Sequence, residues 1–352
     1  MRDDDRMLDL PNAEFGSGVI GVCDICGTRQ AVIVLSKERF RLCVIDFLNK
    51  AWIKTDKKAG SPAPLYRSER IEFPTTVSSS KRAPAIVLSP TKTVRHPVVL
   101  ITPDVYGLTT AVLDAAIRFA REGFEVLIPE ITKTDGIGSG HHMALRRGAW
   151  FGGGVRVDDA HVADLVRLYG DALAYLLTRD MVDPSRAAVF GASYGGSLAL
   201  AVAAGNTKLA AVALAYPVPV KPRDLAKLVS VPLLCVAGSS DRRAGRAMEQ
   251  LRTAGAGTRT SFEFEEYRGA RHNFLARDLG AYDLPDAEAA WTRVVTFLKK
   301  QLMPPPPKPP APVVKPAAPP TPAAAPPRPT VPASPAAASP APAATPAPSP
   351  SG

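Results

Sequence analysis

The sequence predicts an α/β protein: a mainly parallel sheet with helices on both faces. Two observations predict it. Short apolar runs at 98–102, 125–128, 187–190, 210–215 and 233–237 alternate with amphipathic patterns at 110–121, 159–178, 194–204, 244–253 and 286–302. Strands buried on both faces read as continuous apolar runs, and strands separated by helices run parallel. The second observation is where proline sits. Of 36 prolines, 21 lie in the last 49 residues, so residues 1–303 carry an ordinary share and can form a packed core.

Taken in order, residues 1–20 are polar and read as a flexible leader. Residues 21–58 hold Cys23, Cys26 and Cys43 and form a small cysteine module. Residues 59–69 read as a linker, rich in Ala, Gly, Ser and Pro. The α/β domain then runs over 70–303. Its first two runs, 71–77 and 85–89, suit an antiparallel edge pair. Residues 132–158 are long and irregular, with His141-His142, Arg146-Arg147 and Trp150-Phe151, and suit either a lid or pocket wall over a site or a flexible surface loop. Residues 304–352 hold 14 alanines, three basic residues and no acid or aromatic, so they read as a disordered, partly polyproline II tail.

Charge and composition exclude several classes. The formal net charge is +10, three of it in the tail, with no run of five like charges. Nucleic-acid binding is therefore weakly signalled. No apolar h-region follows the acidic start Met1-Arg2-Asp3-Asp4-Asp5, and the longest apolar stretch, 209–220, is too short to span a bilayer. Four cysteines do not make a disulfide framework. The expectation is a soluble cytoplasmic protein.

The stretch richest in chemistry is Gly191-Ala192-Ser193-Tyr194-Gly195, a G-x-S-x-G between a strand and a helix. A serine on so sharp a turn is held with its hydroxyl exposed, and the helix N-terminus supplies N–H groups for an oxyanion. Its bland reading is a helix-capping serine. A serine needs a base, and the base needs an acid to orient it. His272 is the single histidine after Asp241, and Asp241 lies just past the strand 233–237. The chain order Ser193, Asp241, His272 is that of a strand-to-helix serine hydrolase, with spacings of 48 and 31 residues. Asp278 and Asp283 are the other acids within reach. The backbone N–H groups of Val105, after the strand 98–102, and of Tyr194 are the expected oxyanion donors.

Four stretches together resemble the dienelactone hydrolase family of α/β-hydrolases. They are Pro103-Asp104-Val105-Tyr106-Gly107-Leu108, Gly123-Phe124 leading to Pro129-Glu130, Gly191–Gly196, and Gly269–Phe274 with its His272-Asn273-Phe274. The resemblance covers roughly 71–303. It implies the α/β-hydrolase fold and cofactor-free cleavage of an ester or lactone through an acyl-enzyme. Two residues depart from the family pattern. Ser193 stands where the namesakes commonly carry cysteine, which implies a more general serine esterase. Asp104 stands where the family often has glutamate, which implies a supporting role. Gly-x-Ser-Tyr-Gly-Gly also looks like the prolyl-oligopeptidase type of serine peptidase, but no propeller repeat accompanies it.

In the small module, Cys23-Asp24-Ile25-Cys26-Gly27 is a C-x-x-C-G knuckle, followed by a hairpin pattern and then Cys43 and Asp46. This resembles a zinc ribbon or treble clef, with Asp46 where a fourth cysteine or histidine is usual. Cys23, Cys26, Cys43 and Asp46 are the candidate ligands of a structural Zn2+; a redox thiol pair and plain packing are the alternatives. A third reading of the whole chain is a non-catalytic scaffold that binds protein partners through this module and the Pro-rich tail.

Overall fold

The computed structural model describes residues 13–15, 21–24, 27–28, 33–35, 40–48, 65–104, 106–137, 160–206, 208–220, 231–256, 261–277 and 280–303. The tail at 304–352 lies outside the described residues, as do 138–159.

The N-terminal part holds a three-stranded antiparallel sheet. Strand β1 (Ala13–Phe15) pairs with β2 (Ile33–Leu35), which pairs with β3 (Phe40–Leu42). Helix α1 (Val44–Leu48) follows. The hairpin agrees with the sequence pattern; β1 departs from it, because residues 1–20 read as leader. Three residues are too few to show a period of two. The knuckle turn is closed by the Gly27 N–H donating to the Cys23 carbonyl at 3.0 Å. Asp24 ties it to β3, accepting from the Arg41 N–H at 2.6 Å and its guanidinium at 2.7 Å. Cys23 and Cys43 are buried. Cys26 and the Asp46 side chain lie outside the described residues, and among those described no three His, Cys, Asp or Glu side chains form a metal-sized cluster.

The main sheet has eight strands. They are β4 (Tyr66–Pro74), β5 (Arg82–Pro90), β6 (His96–Thr102), β7 (Glu125–Pro129), β8 (Val182–Ala192), β9 (Leu209–Ala215), β10 (Leu233–Gly238) and β11 (Phe262–Tyr267). Their order is β11-β10-β9-β8-β6-β7-β5-β4; β5 is antiparallel to both its neighbours, β7 and β4, and every other pairing is parallel. This is the predicted α/β class. The edge pair is longer than expected: β4 starts at Tyr66, so residues 66–69 belong to the sheet and not to a linker. Tyr66 is buried there, and its hydroxyl donates to the Leu48 carbonyl at 3.1 Å. The alternation of charged residues along β4 hid it, since only one of its faces meets the core.

The helices are α2 (Thr110–Arg121), α3 (Ala160–Leu176), α4 (Tyr194–Gly205), α5 (Arg242–Gly255) and α6 (Leu284–Leu302). Their ends follow from local chemistry. Thr109 caps α2, Asp241 caps α5 through the Arg243 and Ala244 N–H groups, and Asp283 caps α6. Helix α6 stops at Leu302, just before the proline run. Helix α4 is buried over Tyr194–Ala203 and apolar all round, as a central helix must be. Phe119 of α2, Trp291 of α6 and Phe190 of β8 form one aromatic cluster, with centroids 5.1 to 5.9 Å apart. Among the described residues no helix is long and apolar enough to cross a membrane.

The chain leaves β6 for β7 on one side and returns to β8 on the other. The carboxyl ends of β6 and β8 therefore flank the point where the winding reverses, where open α/β sheets bind ligands.

Candidate active site

Ser193 sits between β8 and α4 with φ 53° and ψ −124°. A left-handed φ is rare for a residue with a Cβ and stores about 1–3 kcal/mol of strain, so the surroundings must impose it. They do. The Ser193 N–H donates to the Ala215 carbonyl of β9 at 2.9 Å, and the Gly196 N–H donates back to the Ser193 carbonyl at 3.1 Å. A Cβ on Gly191 would strike the Gly195 carbonyl, and one on Gly195 would strike the Thr102 carbonyl. Glycine at both positions is what lets strand, turn and helix close up.

Ser193 Oγ and His272 Nε2 are 2.9 Å apart. The other ring nitrogen, Nδ1, bonds Asp241 Oδ2. Asp241 Oδ1 accepts from the Arg243 and Ala244 N–H groups at 3.0 and 3.1 Å. The two oxygens of that carboxylate thus divide the work, since one caps α5 and the other orients the imidazole. A carboxylate that accepts at Nδ1 fixes the proton there and leaves Nε2 free to accept from the serine. Burial opposes the Asp241 charge. The hydrogen bond to His272, its charge and the two N–H donors outweigh burial and hold the carboxyl below its ordinary value.

Three loops carry these side chains together. The Ser239 and Ser240 N–H groups donate to the Tyr267 and Ala270 carbonyls at 2.9 and 3.0 Å, and the Ser239 hydroxyl accepts from the Gly269 N–H at 2.8 Å. Gly238 permits this approach, since a Cβ there would meet the Ala270 carbonyl. His272-Asn273-Phe274 has a mechanical logic. Asn273 takes φ 66°, which asparagine tolerates, and turns the chain so that Phe274 is buried against Tyr216 and Tyr267.

After β6 the Gly107 N–H donates to the Asp104 carbonyl at 2.8 Å, and Gly107 has φ 70°. Tyr194 opens α4 and is buried. Val105 lies outside the described residues. Asp104 is half-buried; burial and then the Asp104 charge push the Tyr169 phenol up. Arg146 and Arg147, in the irregular segment 132–158, lie outside the described residues. Arg271 donates to the Gly280 carbonyl at 3.1 Å.

Two residues of the site escape the sequence reading. Thr102, at the end of β6, is buried, with its hydroxyl 2.8 Å from the Gly195 carbonyl and 3.2 Å from that of Phe190. Tyr216, which follows β9, has φ 38° and sets its ring edge-on to His272. Nothing in the sequence signals either residue: the proline that follows Tyr216 favours extended backbone there, and the observed φ is left-handed.

The sequence model of the dienelactone hydrolase family matches residues 83–302. The chain belongs to the dienelactone hydrolase family. A carboxymethylenebutenolidase from Rhodococcus opacus is 29% identical over 224 residues, which cover 58% of this chain and 81% of that relative. Among solved structures, a dienelactone hydrolase from Anabaena variabilis superposes with a TM-score of 0.51 at 16% identity, covering 68% of this chain and all of that one. A thermostable carboxylesterase cloned from a metagenomic library gives 0.51 at 16% identity, over 68% and 91% of the two chains. At such identities the structural likeness shows the shared fold alone. The family match covers β5 to α6 and so includes Ser193, Asp241 and His272.

Proposed function

We propose that this protein is a serine hydrolase that cleaves a carboxylic ester or lactone without a cofactor. The observation that carries the reading is the unbroken chain Ser193 Oγ, His272 Nε2, His272 Nδ1, Asp241 Oδ2 at the carboxyl ends of three strands. Family membership and the carboxymethylenebutenolidase relative support the bond type.

The steps follow from the geometry. His272 Nε2 takes the Ser193 proton as Oγ attacks the acyl carbonyl. Asp241 stabilises the imidazolium that forms. The Tyr194 N–H, and that of Val105, receive the oxyanion; one such donor contributes about 3 kcal/mol. The imidazolium then protonates the leaving oxygen, giving the acyl-enzyme and an alcohol, or in a lactone the tethered hydroxyl. Water, deprotonated by His272, attacks the acyl-enzyme and releases the acid and Ser193. Asp104, in the segment that follows β6, has a supporting role.

A fluorophosphonate probe tests the nucleophile. The folded protein takes up one equivalent, and peptide mass spectrometry places it on Ser193. Label on another residue, or equal labelling of heat-denatured protein, would refute the reading.

Zinc in the cysteine module is a separate reading, supported by the C-x-x-C-G spacing and the burial of Cys23 and Cys43. Metal analysis of the purified protein beside Cys23→Ser tests it. Equal, near-zero metal in both rules it out.

A further inference from the structure

We infer that Thr102 is a positioning residue whose hydroxyl locks the loop after β6 to the first turn of α4, keeping the oxyanion side of the site in register with Ser193. This rests on the serine-hydrolase reading above.

Strand β6 is fully buried and apolar from Pro97 to Ile101, then ends in threonine. Valine has nearly the same shape, suits a strand at least as well and buries no polar atom. The hydroxyl therefore needs a reason. Thr102 lies opposite Gly191 in the β6–β8 register, directly below the Ser193 turn. Its proton goes to the Gly195 carbonyl at 2.8 Å, and the Phe190 carbonyl at 3.2 Å is the second acceptor in reach. One side chain thus contacts the strand before Ser193 and the helix turn after it.

The packing leaves no slack around this contact. A Cβ on Gly191 would come within 2.5 Å of Thr102 Oγ1, and one on Gly195 would press on the Thr102 carbonyl and on Pro103. Pro103 and Asp104 start the loop that should carry one oxyanion donor, and Tyr194 carries the other. Thr102 is the covalent start of the first and is hydrogen-bonded to the turn of the second. Losing the bond lets the two slide apart by tenths of an ångström, which leaves substrate binding intact and weakens only the transition state.

The test compares Thr102→Val with Thr102→Ser in the full chain, reading kcat and KM on a p-nitrophenyl ester, the fluorophosphonate labelling rate and the melting temperature. Thr102→Val loses roughly tenfold to a hundredfold in kcat with KM within about twofold, and Thr102→Ser recovers most of it. The inference is overturned if Thr102→Val keeps wild-type kcat, or if both variants lose activity equally. Should Thr102→Val not fold, Thr102→Ala replaces it; Ala and Ser both lack the methyl and differ in the hydroxyl, so equal rates overturn the inference and a faster Ser supports it. A wild type that neither turns over ester nor takes the probe overturns the serine reading and this inference with it. An active wild type beside an unaffected Thr102→Val overturns this inference alone.

Discussion

The Tyr216 ring meets the His272 imidazole edge to face, with centroids 5.1 Å apart and planes at 64°. Tyr216 holds a φ of 38° to do so, tied by its N–H to the Val236 carbonyl at 2.7 Å. Its neighbour Ala215 accepts the Ser193 N–H, so one strand end supports both base and nucleophile. An aromatic contact of this kind contributes about 1 kcal/mol. Tyr216→Leu therefore lowers kcat about fivefold with KM little changed. Steady-state kinetics check it; an unchanged kcat would mean that hydrogen bonds alone hold the imidazole.

Asp241→Asn keeps the shape of the site but reverses the hydrogen-bond demand at Nδ1. The imidazole then carries its proton on the wrong nitrogen. The kcat falls by about 10⁴ while KM stays within a few-fold. A loss under tenfold would move the orienting role to another acid. Asp283 is already committed as the cap of α6.

The same carboxylate sets an acid limit on stability. Its folded pKa lies below the unfolded value of about 3.9, so its contribution is complete above about pH 4 and is lost as pH falls through the folded pKa. Urea midpoints measured from about pH 6 down to about pH 3 decline for the wild type and decline less for Asp241→Asn. Parallel declines would contradict this.

The glycines around Ser193 make a stability prediction with an internal control. Gly191→Ala and Gly195→Ala each force a Cβ onto backbone and cost about 1–3 kcal/mol, with loss of activity. Gly170, in α3, has open space around its Cβ position, so Gly170→Ala is neutral or stabilises by up to about 1 kcal/mol. Thermal melts of the three variants decide it.

The central strands are legible in the sequence because burial on both faces writes them as apolar runs. Helix α2 is legible to the residue, since a capping Thr109 and Gly123 bracket its pattern. Strand β1 and the start of β4 are not. One is too short to show a period, and the other faces solvent on one side. In the site, Ser193, Asp241 and His272 announce themselves by type and by their places after strands. Thr102 and Tyr216 act through a hydroxyl aimed at a carbonyl 93 residues away and through a strained backbone angle. Neither is visible before the chain is folded.

The proposed chemistry turns on the Ser193 hydroxyl, and replacing it is the most direct test. Ser193→Ala removes one oxygen and leaves fold, base and acid in place. Wild type and variant are compared on a panel of p-nitrophenyl esters and lactones, with matched melting temperatures. The prediction is turnover by the wild type and a loss of at least about 10⁴ in the variant. Equal turnover by the two proteins would contradict the assignment of Ser193 as the nucleophile.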